Sequence, residues 1–588
     1  MILQALCDYY GRKPDLPRPG FETKSIPFVI EIDHAGKVVQ IEDTRNVEGK
    51  KRISRNFLVP QGEKKTSGIA ANLLWDNAEY VLGVTSRGKP DRVQEQHAVF
   101  QTRLNELTLR IEDAGLKAVS LFFKAADQTR LEVDPLWPEI LETNPVLTFR
   151  LNGDLELICQ RSAVRAALEE NTGADITQII CLITGKSDSF ERLHTAIKGV
   201  RDAQTSGANI VSFNKDAFNS FGKEQGANAP VGKRAAFAYT TALNYLLSKE
   251  STQRIQVGDA STVFWSEKQT ELEDIFADLF DEPPKDDPAK QTRAVEALFK
   301  SPKTGVFTDD GGDTRFYVLG LAPNAARISI RFWLIGTISE MSVRIRQHFD
   351  DLQIAHASFE KPHLSLFRLL VSTAVQGKAE NITPNLAGEF MRAILAGLPY
   401  PATLLQAVVR RIRAEQSKKD KQGKNVLHVT YPRAALIRAC INRQIRRSNS
   451  HEKEITVSLD KINTNVGYRL GRLFAALEHI QEDASGGKLN STIRDRFYGA
   501  ASSTPGTVFV TLLRLNTHHM TSLRKEKPGL FVERDKLVGE IINEGMDGTL
   551  GFPSLLDLQD QGRFAIGYYH QRQDFYKQTK SAKPDQGE

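Results

Sequence analysis

Sulfur is scarce in this chain. Four cysteines (Cys7, Cys159, Cys181, Cys440) and five methionines are spread over 588 residues. No two cysteines form a CxxC pair, which argues against a zinc ribbon and a disulfide scaffold and fits a reducing cytoplasm. Long apolar runs are missing too. Nothing approaches the roughly 20 residues needed to span a bilayer, and the opening MILQALCDYY is interrupted by Gln4 and Asp8, so it reads as an amphipathic helix start and not as a signal peptide. These absences lead us to expect a cytoplasmic protein without a membrane partner.

The motifs of catalysis are also absent. TGKSDS at 184–189 ends like a phosphate-binding loop, but the glycine required five residues before Gly185 is Ile180, inside an apolar run. Without that backbone nest a nucleotide phosphate has no cradle. His518-His519 and the pair His356 and His363 lack HExxH spacing and a supporting carboxylate. Asp286-Asp287, Asp309-Asp310 and Asp350-Asp351 invite a two-metal reading, yet their Gly-rich, Pro-rich or exposed settings suit solvated turns better. No GxSxG elbow is present. A binding protein is expected, with no enzyme activity, cofactor or metal.

What the chain does have is unevenly placed charge. Its net charge of +6 is modest for 588 residues. Between Leu405 and Arg447, however, twelve Lys and Arg face only Glu415 and Asp420, a local net of +10. A second cluster, Arg45, Lys50, Lys51, Arg52, Arg55, Lys64 and Lys65, lies near the start. Such clusters suit polyanions, although for 417–425 alone a solvated face or flexible basic loop is the better account.

The length implies several domains, and the pattern predicts an α+β fold class with an all-helical end. FVIEID and VVQIED alternate in polarity around His34-Ala35-Gly36-Lys37, a β-hairpin pattern. FLVP at 57–60 reads as a strand, 92–113 as a helix, 146–152 and 154–160 as a hairpin around Asn152-Gly153, and 176–185 as a buried strand. Residues 271–290 hold eight acidic residues, three prolines and two lysines. The expected organisation is a mixed α/β domain over 1–270, an acidic and proline-bearing linker over 271–300, a smaller strand-containing region over 301–384 and a helical bundle over 385–588, where Leu470, Leu473, Phe474, Leu477 and Ile480 share a face. The end, KSAKPDQGE, reads as a frayed tail.

Residues 194–247 are the most informative stretch. Small and amide residues (Ser206, Gly207, Asn209, Ser212, Asn214, Asn219, Gly226, Asn228) are framed by Lys198, Arg201, Lys215, Lys233 and Arg234, and an apolar helix follows. Amides near base edges and cations near phosphates are what a nucleic-acid reader needs. A Gly- and Asn-rich loop that merely turns the chain is the plainer alternative. Together with TSGIAANLLWDNAEYVLG (66–83), CLITGK (181–186), GDASTVFW (258–265), FYVLGLAPNAARISIRFW (316–333), NVGYRLGRLFAALE (465–478) and GYYHQRQDFY (567–576), this stretch resembles the large subunit of the type I-C CRISPR surveillance complex, Cascade.

The resemblance implies a subunit that works with a guide RNA, a backbone subunit, a guide-handle subunit and a helical small subunit. It implies recognition of a short protospacer-adjacent motif in double-stranded target DNA, opening of the duplex into an R-loop, and recruitment of a helicase-nuclease. It also implies that the C-terminal helical region is similar to the small subunit, whose separate translation here needs a non-AUG start, for instance at Val466, since no methionine lies near NVGYRLGRLF.

On the residues, Ser67, Gly68, Asn72, Ser206, Asn209, Ser212, Asn214 and Asn228 are the motif-reading candidates, and Lys223 or Gln225 the duplex wedge, with Phe221 equally suited to a buried anchor. Lys50, Lys51, Arg52, Arg55, Lys64, Lys65, Lys198, Lys233 and Arg234 are candidates for duplex phosphates. Arg410, Arg411, Arg443, Arg446, Arg447, Arg469, Arg472, Arg494 and Arg496 are candidates for holding a strand, as are Lys488, Arg524 and Lys525. Trp75 and Asn77 are expected to build the core. Two other readings stand beside this one: a structural subunit that reads no motif, and a nuclease of the same defence system.

Overall fold

The computed structural model describes the chain except residues 49–50, 64–67, 126–128, 171–177, 305–311, 326, 424, 449–450, 487–488, 544–550 and 582–588. The frayed tail expected at the end falls largely outside the described part. Two compact units emerge, one holding residues 3–195 and 211–242, the other 196–210 and 243–588.

The first unit begins with α1 (Ile2–Arg12), then β1 (Phe21–Ser25), β2 (Phe28–Ile32), β3 (Val38–Asp43), β4 (Arg45–Glu48), β5 (Lys51–Ser54) and β6 (Asn56–Pro60). There follow β7 (Trp75–Asn77), α2 (Ala78–Leu82), α3 (Pro90–Arg110), α4 (Ala114–Ala125), α5 (Thr129–Glu132), α6 (Trp137–Thr143), β8 (Val146–Leu151), α7 (Ser162–Glu170), β9 (Gln178–Ile180) and β10 (Ser187–Ser189). Its main sheet runs β3-β2-β8-β7, with β2 and β8 parallel. The β2–β3 hairpin forms as its alternation predicts. The β4–β5 ribbon is a separate pair that leaves Val47 and Ile53 exposed. The expected partner of β8 is not a strand. Residues 154–160 make one bridge, Arg150 to Leu157, and then a 3₁₀ turn that buries Ile158 and Cys159. The buried strand expected at 176–185 is the short β9, whose Ile180 is exposed.

LLWDNAEYVLG packs as expected. The Trp75 indole N–H donates to the Pro60 carbonyl at 2.8 Å, and Asn77 caps α2 by accepting from the Tyr80 N–H at 3.3 Å. Asp76 is buried and accepts the N–H groups of Asn72 and Asn77 at 2.8 and 2.9 Å.

Helix α8 (Lys233–Leu246) carries the chain into the second unit. There β11 (Arg254–Val257), β12 (Ala260–Ser266), β13 (Arg315–Asn324) and β14 (Arg327–Thr337) form one antiparallel sheet in that order. The boundary expected near residue 270 therefore cuts a continuous sheet. Residues 271–300, expected as a linker, carry α9 (Glu271–Phe280) and α10 (Lys290–Thr304). Leu272, Phe276, Leu279 and Phe280 on α9 and Val295 and Leu298 on α10 lie in the core. Glu273 is buried with them, bonded to Gln253 and Ser266, while Glu271, Asp274, Asp281 and Asp286 are exposed.

The helical remainder comprises α11 (Ile338–Leu352), α12 (Leu366–Val371), α13 (Leu386–Ala396), α14 (Ala402–Ala414), α15 (Tyr431–Ser448), α16 (Val466–Ala484), α17 (Ile493–Ala501), α18 (Pro505–Glu526), α19 (Pro528–Asn543) and α20 (Leu558–Ser581). Helices α16 and α20 approach backbone to backbone. A Cβ added at Gly471 would sit 2.0 Å from the Phe564 carbonyl oxygen, and one added at Gly567 would sit 2.0 Å from that of Tyr468. Both are closer than atoms can lie, so only glycine permits this approach. The fold is mixed α+β with a helical C-terminal region. Among the described residues no helix is long and apolar enough to cross a membrane.

Candidate nucleic-acid interface

The stretch between β10 and α8 has little regular structure, so its shape comes from turns and side-chain hydrogen bonds. Ser220, Phe221, Gly222 and Lys223 form a turn closed by the Lys223 N–H donating to the Ser220 carbonyl at 2.9 Å. Phe221 and Gly222 both have positive φ, 52° and 67°, as a type I′ turn demands. Glycine takes that conformation freely and phenylalanine does so only under constraint. Asn228 supplies the constraint. Its Oδ1 accepts the Ser220 N–H at 3.0 Å, and its Nδ2 donates to the carbonyls of Lys223 and Gln225, each at 3.0 Å. Phe221, at the tip, is 98% exposed. It is not the buried anchor that sequence left open.

This arrangement reassigns several candidates. The Asn228 amide is occupied in holding the turn and does not present its edge to a partner. Gln225 has its Oε1 buried, at a φ of 46°, and so does not project as a wedge. Lys223 is exposed beside Phe221, and Lys215 and Asn214 are exposed earlier in the same stretch, with Ser212 half-buried. Sequence reasoning could not separate Phe221 from a core residue, because an isolated aromatic in a polar loop carries no periodicity.

Helix α8 begins next to this turn. Asp188 in β10 accepts the Arg234 N–H at 3.1 Å, and the Arg234 side chain returns to Asp188 at 3.4 Å and to the Ser187 carbonyl at 3.2 Å. Arg234 nevertheless stays largely exposed, while Lys233 is half-buried. CLITGK docks on the same helix start: the Gly232 N–H donates to Cys181 Sγ at 3.2 Å. Burial pushes the Cys181 thiol up, but donors from Thr184, Gly232 and Ile183 outweigh it and hold the pKa below the ordinary thiol value. Partial burial, with Asp8 and Cys181 nearby, pushes the half-buried Cys7 thiol up to about 12.

In the second unit, Ile197 and Ala208 pair across a loop whose tip, Gln204 to Gly207, is closed by the Gly207 N–H donating to the Gln204 carbonyl at 2.9 Å. Ser206 and Lys198 are exposed on it, and the Asn209 carbonyl accepts the Ile328 N–H at 3.1 Å. Gly68 is exposed in the first unit. Asn72 is only 6% exposed, and its Oδ1 accepts the Glu63 N–H at 2.8 Å, so it shapes its own loop instead of reaching outward.

The N-terminal cations divide likewise. Arg45 is half-buried and paired with Asp43 and Glu139, its guanidinium 4.5 Å from the Phe28 ring centroid. Arg52 and Arg55 are exposed, with carboxylates of Glu139 and Glu42 no nearer than 3.9 Å. Lys50, Lys64, Lys65 and Ser67 lie outside the described residues, as does the Lys51 side chain.

Of the arginines expected to hold a strand, four are buried and spent inside the second unit. Arg469 (2% exposed) donates to the Asn463 carbonyl, and Arg472 to Gln571 Oε1 at 3.2 Å and the Lys461 carbonyl at 3.0 Å. Arg494 pairs with Asp495 at 3.2 Å, and Arg443 with Asp351 at 2.6 Å. Arg446 is tied to Asp351 and Glu454, and Arg411 stands 3.8 Å from Glu415. Arg410, Arg447 and Arg496 remain exposed, together with Arg524 and Lys525, while Lys488 lies outside the described residues. Among the described residues no group of three or more His, Cys, Asp or Glu is placed to hold a metal ion.

An α+β chain whose polar loops and cationic edges stand outside its two cores is thus the class of protein described here. It belongs to the family described as CRISPR-associated protein (Cas_Csd1), which it matches over residues 6–576. No curated protein matches the chain.

Proposed function

We propose that this chain is the large subunit of a type I-C surveillance complex. In that role it reads the protospacer-adjacent motif in double-stranded DNA, parts the duplex beside it to start the R-loop, and helps recruit the helicase-nuclease, alongside a guide RNA with backbone, guide-handle and small subunits. Membership of the CRISPR-associated family supports the setting. The observation that carries the specific reading is Phe221: an aromatic side chain 98% exposed, on a turn held by three hydrogen bonds from one amide.

Burial gives no reason for that side chain, whereas duplex opening does. Wedging an apolar ring between base pairs costs a few kcal/mol of stacking per step, so the wedge must be backed by a turn that does not yield. Lys223 and Lys215 on the same stretch suit the flanking phosphates, and the exposed Asn214 and half-buried Ser212 suit base edges. On the β4–β5 ribbon, Arg52 and Arg55 suit the incoming duplex.

The test uses the assembled complex on target duplexes carrying 2-aminopurine next to the motif. Phe221→Ala should slow opening at least tenfold on a closed duplex, recover on a target with a mismatched bubble there, and leave the flanking preference unchanged. Unchanged opening on the closed duplex would remove Phe221 from this role. A flanking preference that persists when the whole subunit is left out would remove the chain as reader.

A further inference from the structure

A cavity of about 710 Å³ opens in the second unit between α14, α17 and α20, within the range of small-ligand sites. Arg410 and Arg413 line it from one face of α14, three residues apart, where side chains are neighbours and like charges repel. Among the described residues neither has an ion pair, although the adjacent Arg411 and the more distant Arg433 both reach Glu415, at 3.8 and 2.8 Å. The Arg413 guanidinium donates to the Ser503 hydroxyl at 3.4 Å. Two unneutralised guanidinium groups side by side in a concave site make a seat for an anion with several oxygens.

The rest of the lining is not that of a bare phosphate site. Gln416 is fixed at both ends of its amide, accepting from the Gly499 N–H at 2.7 Å and donating to the Asp495 carbonyl at 3.3 Å. Gly499 adds no side chain, which keeps the floor open. Gln561 uses its Nε2 on the Leu556 carbonyl at 2.9 Å, which leaves Oε1 as an acceptor, and Gln406 contributes an exposed amide. Val409 and Leu558 supply apolar contact. Paired cations, amides and an apolar patch together match a phosphate, a base edge and a base face.

We propose that this cavity binds one nucleotide of a single strand, with Arg410 and Arg413 on its phosphate and Gln406 and Gln561 on its base. The proposal rests on the reading of this chain as a nucleic-acid-binding subunit, and it adds a site apart from the Phe221 turn. A displaced DNA strand and a guide RNA share the chemistry.

The experiment is fluorescence anisotropy of the full chain with a labelled 15-nucleotide DNA and an RNA of the same sequence, titrated across salt. Arg410→Gln/Arg413→Gln should weaken binding at least tenfold at 150 mM salt. It should also reduce the slope of log K against log salt by about 1.4, at about 0.7 per contact with a single strand. Gln561→Leu should weaken binding with the slope unchanged. Loss confined to DNA assigns the site to the displaced strand, and loss confined to RNA assigns it to the guide. If a charge-matched pair elsewhere, Lys268→Gln/Arg392→Gln, weakens binding as much, the effect is net charge and the proposal falls. It falls equally if the arginine pair leaves binding intact while near-ultraviolet circular dichroism shows a native fold. No duplex or flanking motif enters this assay, so its failure leaves motif reading and the Phe221 role untouched, and failure of those leaves the cavity untouched.

Discussion

Asn228 and Ser220 are joined across eight residues by a 3.0 Å hydrogen bond, from the Ser220 N–H to the Asn228 side-chain oxygen. That bond, with the two made by Nδ2, closes a ring around the turn bearing Phe221. Asn228→Ala should free residues 219–225 without unfolding the protein. Amide hydrogen exchange should rise across that stretch alone, and duplex opening should fall on every flanking motif alike. A mutant that opened duplexes normally but lost motif preference would return Asn228 to the role of reader.

The arginines give a sharper stability contrast. Arg443 is buried, donates to Asp351 at 2.6 Å and to the Leu398 carbonyl at 2.9 Å, and lies 4.2 Å from the Tyr400 ring centroid. Arg443→Ala leaves the buried Asp351 with one of its two ion-pair partners, Arg446, and the Gln347 amide, and should cost roughly 3–5 kcal/mol. Arg447→Ala, on the exposed side of the same helix, should change stability by no more than about 0.5 kcal/mol. Urea midpoints of the two variants decide this, and equal shifts would contradict the placement of Arg443.

Three buried histidines make the second unit acid-sensitive. Burial holds His348 and His428 well below the usual imidazole pKa, with nearby arginines adding to the effect, and holds His570 at about 3. A lowered folded pKa means that the unfolded chain binds the proton first. The stabilisation is therefore complete above about pH 6.5 and is lost as pH falls toward about 3 for His570. Each histidine contributes up to about 1.4 kcal/mol per pH unit in that window. Urea midpoints at pH 7.5 and 5 should show the loss, and His570→Gln should flatten it. A midpoint that rose on acidification would overturn the assignment.

Glycine at the α16–α20 contact predicts a reversal of sign. In an ordinary helix interior, Gly→Ala is favourable by roughly 0.5–1 kcal/mol. At Gly471 the new methyl would meet the Phe564 carbonyl, and forcing it in should cost about 1–3 kcal/mol or more. Thermal unfolding of Gly471→Ala beside Gly539→Ala, which has nothing within 4 Å of its added Cβ, makes the comparison internal.

Sequence legibility followed the range of the interactions. The β2–β3 hairpin and the buried face of α16 were readable because each rests on local periodicity. The pairing of β12 with β13 was not, because it joins distant residues, from Ser266 with Phe316 to Ser261 with Leu321, and only the assembled sheet defines it. DLELICQ alternates like a strand, but after the single bridge at Leu157 the chain closes into a 3₁₀ turn over Ile158–Gln160, held by the Gln160 side chain donating to the distant Leu58 carbonyl at 2.9 Å. The site candidates failed for a related reason. Arg469 and Arg496 look alike in a basic stretch, and the acceptor that lets Arg472 be buried, Gln571, is 99 residues away. Nothing local in the sequence marks Asn228 as the amide that holds the Phe221 turn.

The glycine contact between α16 and α20 also acts as a vernier. Two rods touching where both lack side chains have one seating, and a slip of one turn, about 5.4 Å, would drive a Cβ into a carbonyl. That single seating brings Tyr568 and Arg572 to the buried Glu478 carboxylate, at 2.6 and 2.8 Å, where Thr492 also meets it at 2.6 Å. An ion sealed from water tolerates little misplacement, so the missing side chains on one stretch of helix determine whether a charge a full turn or more away is solvated by protein or stranded.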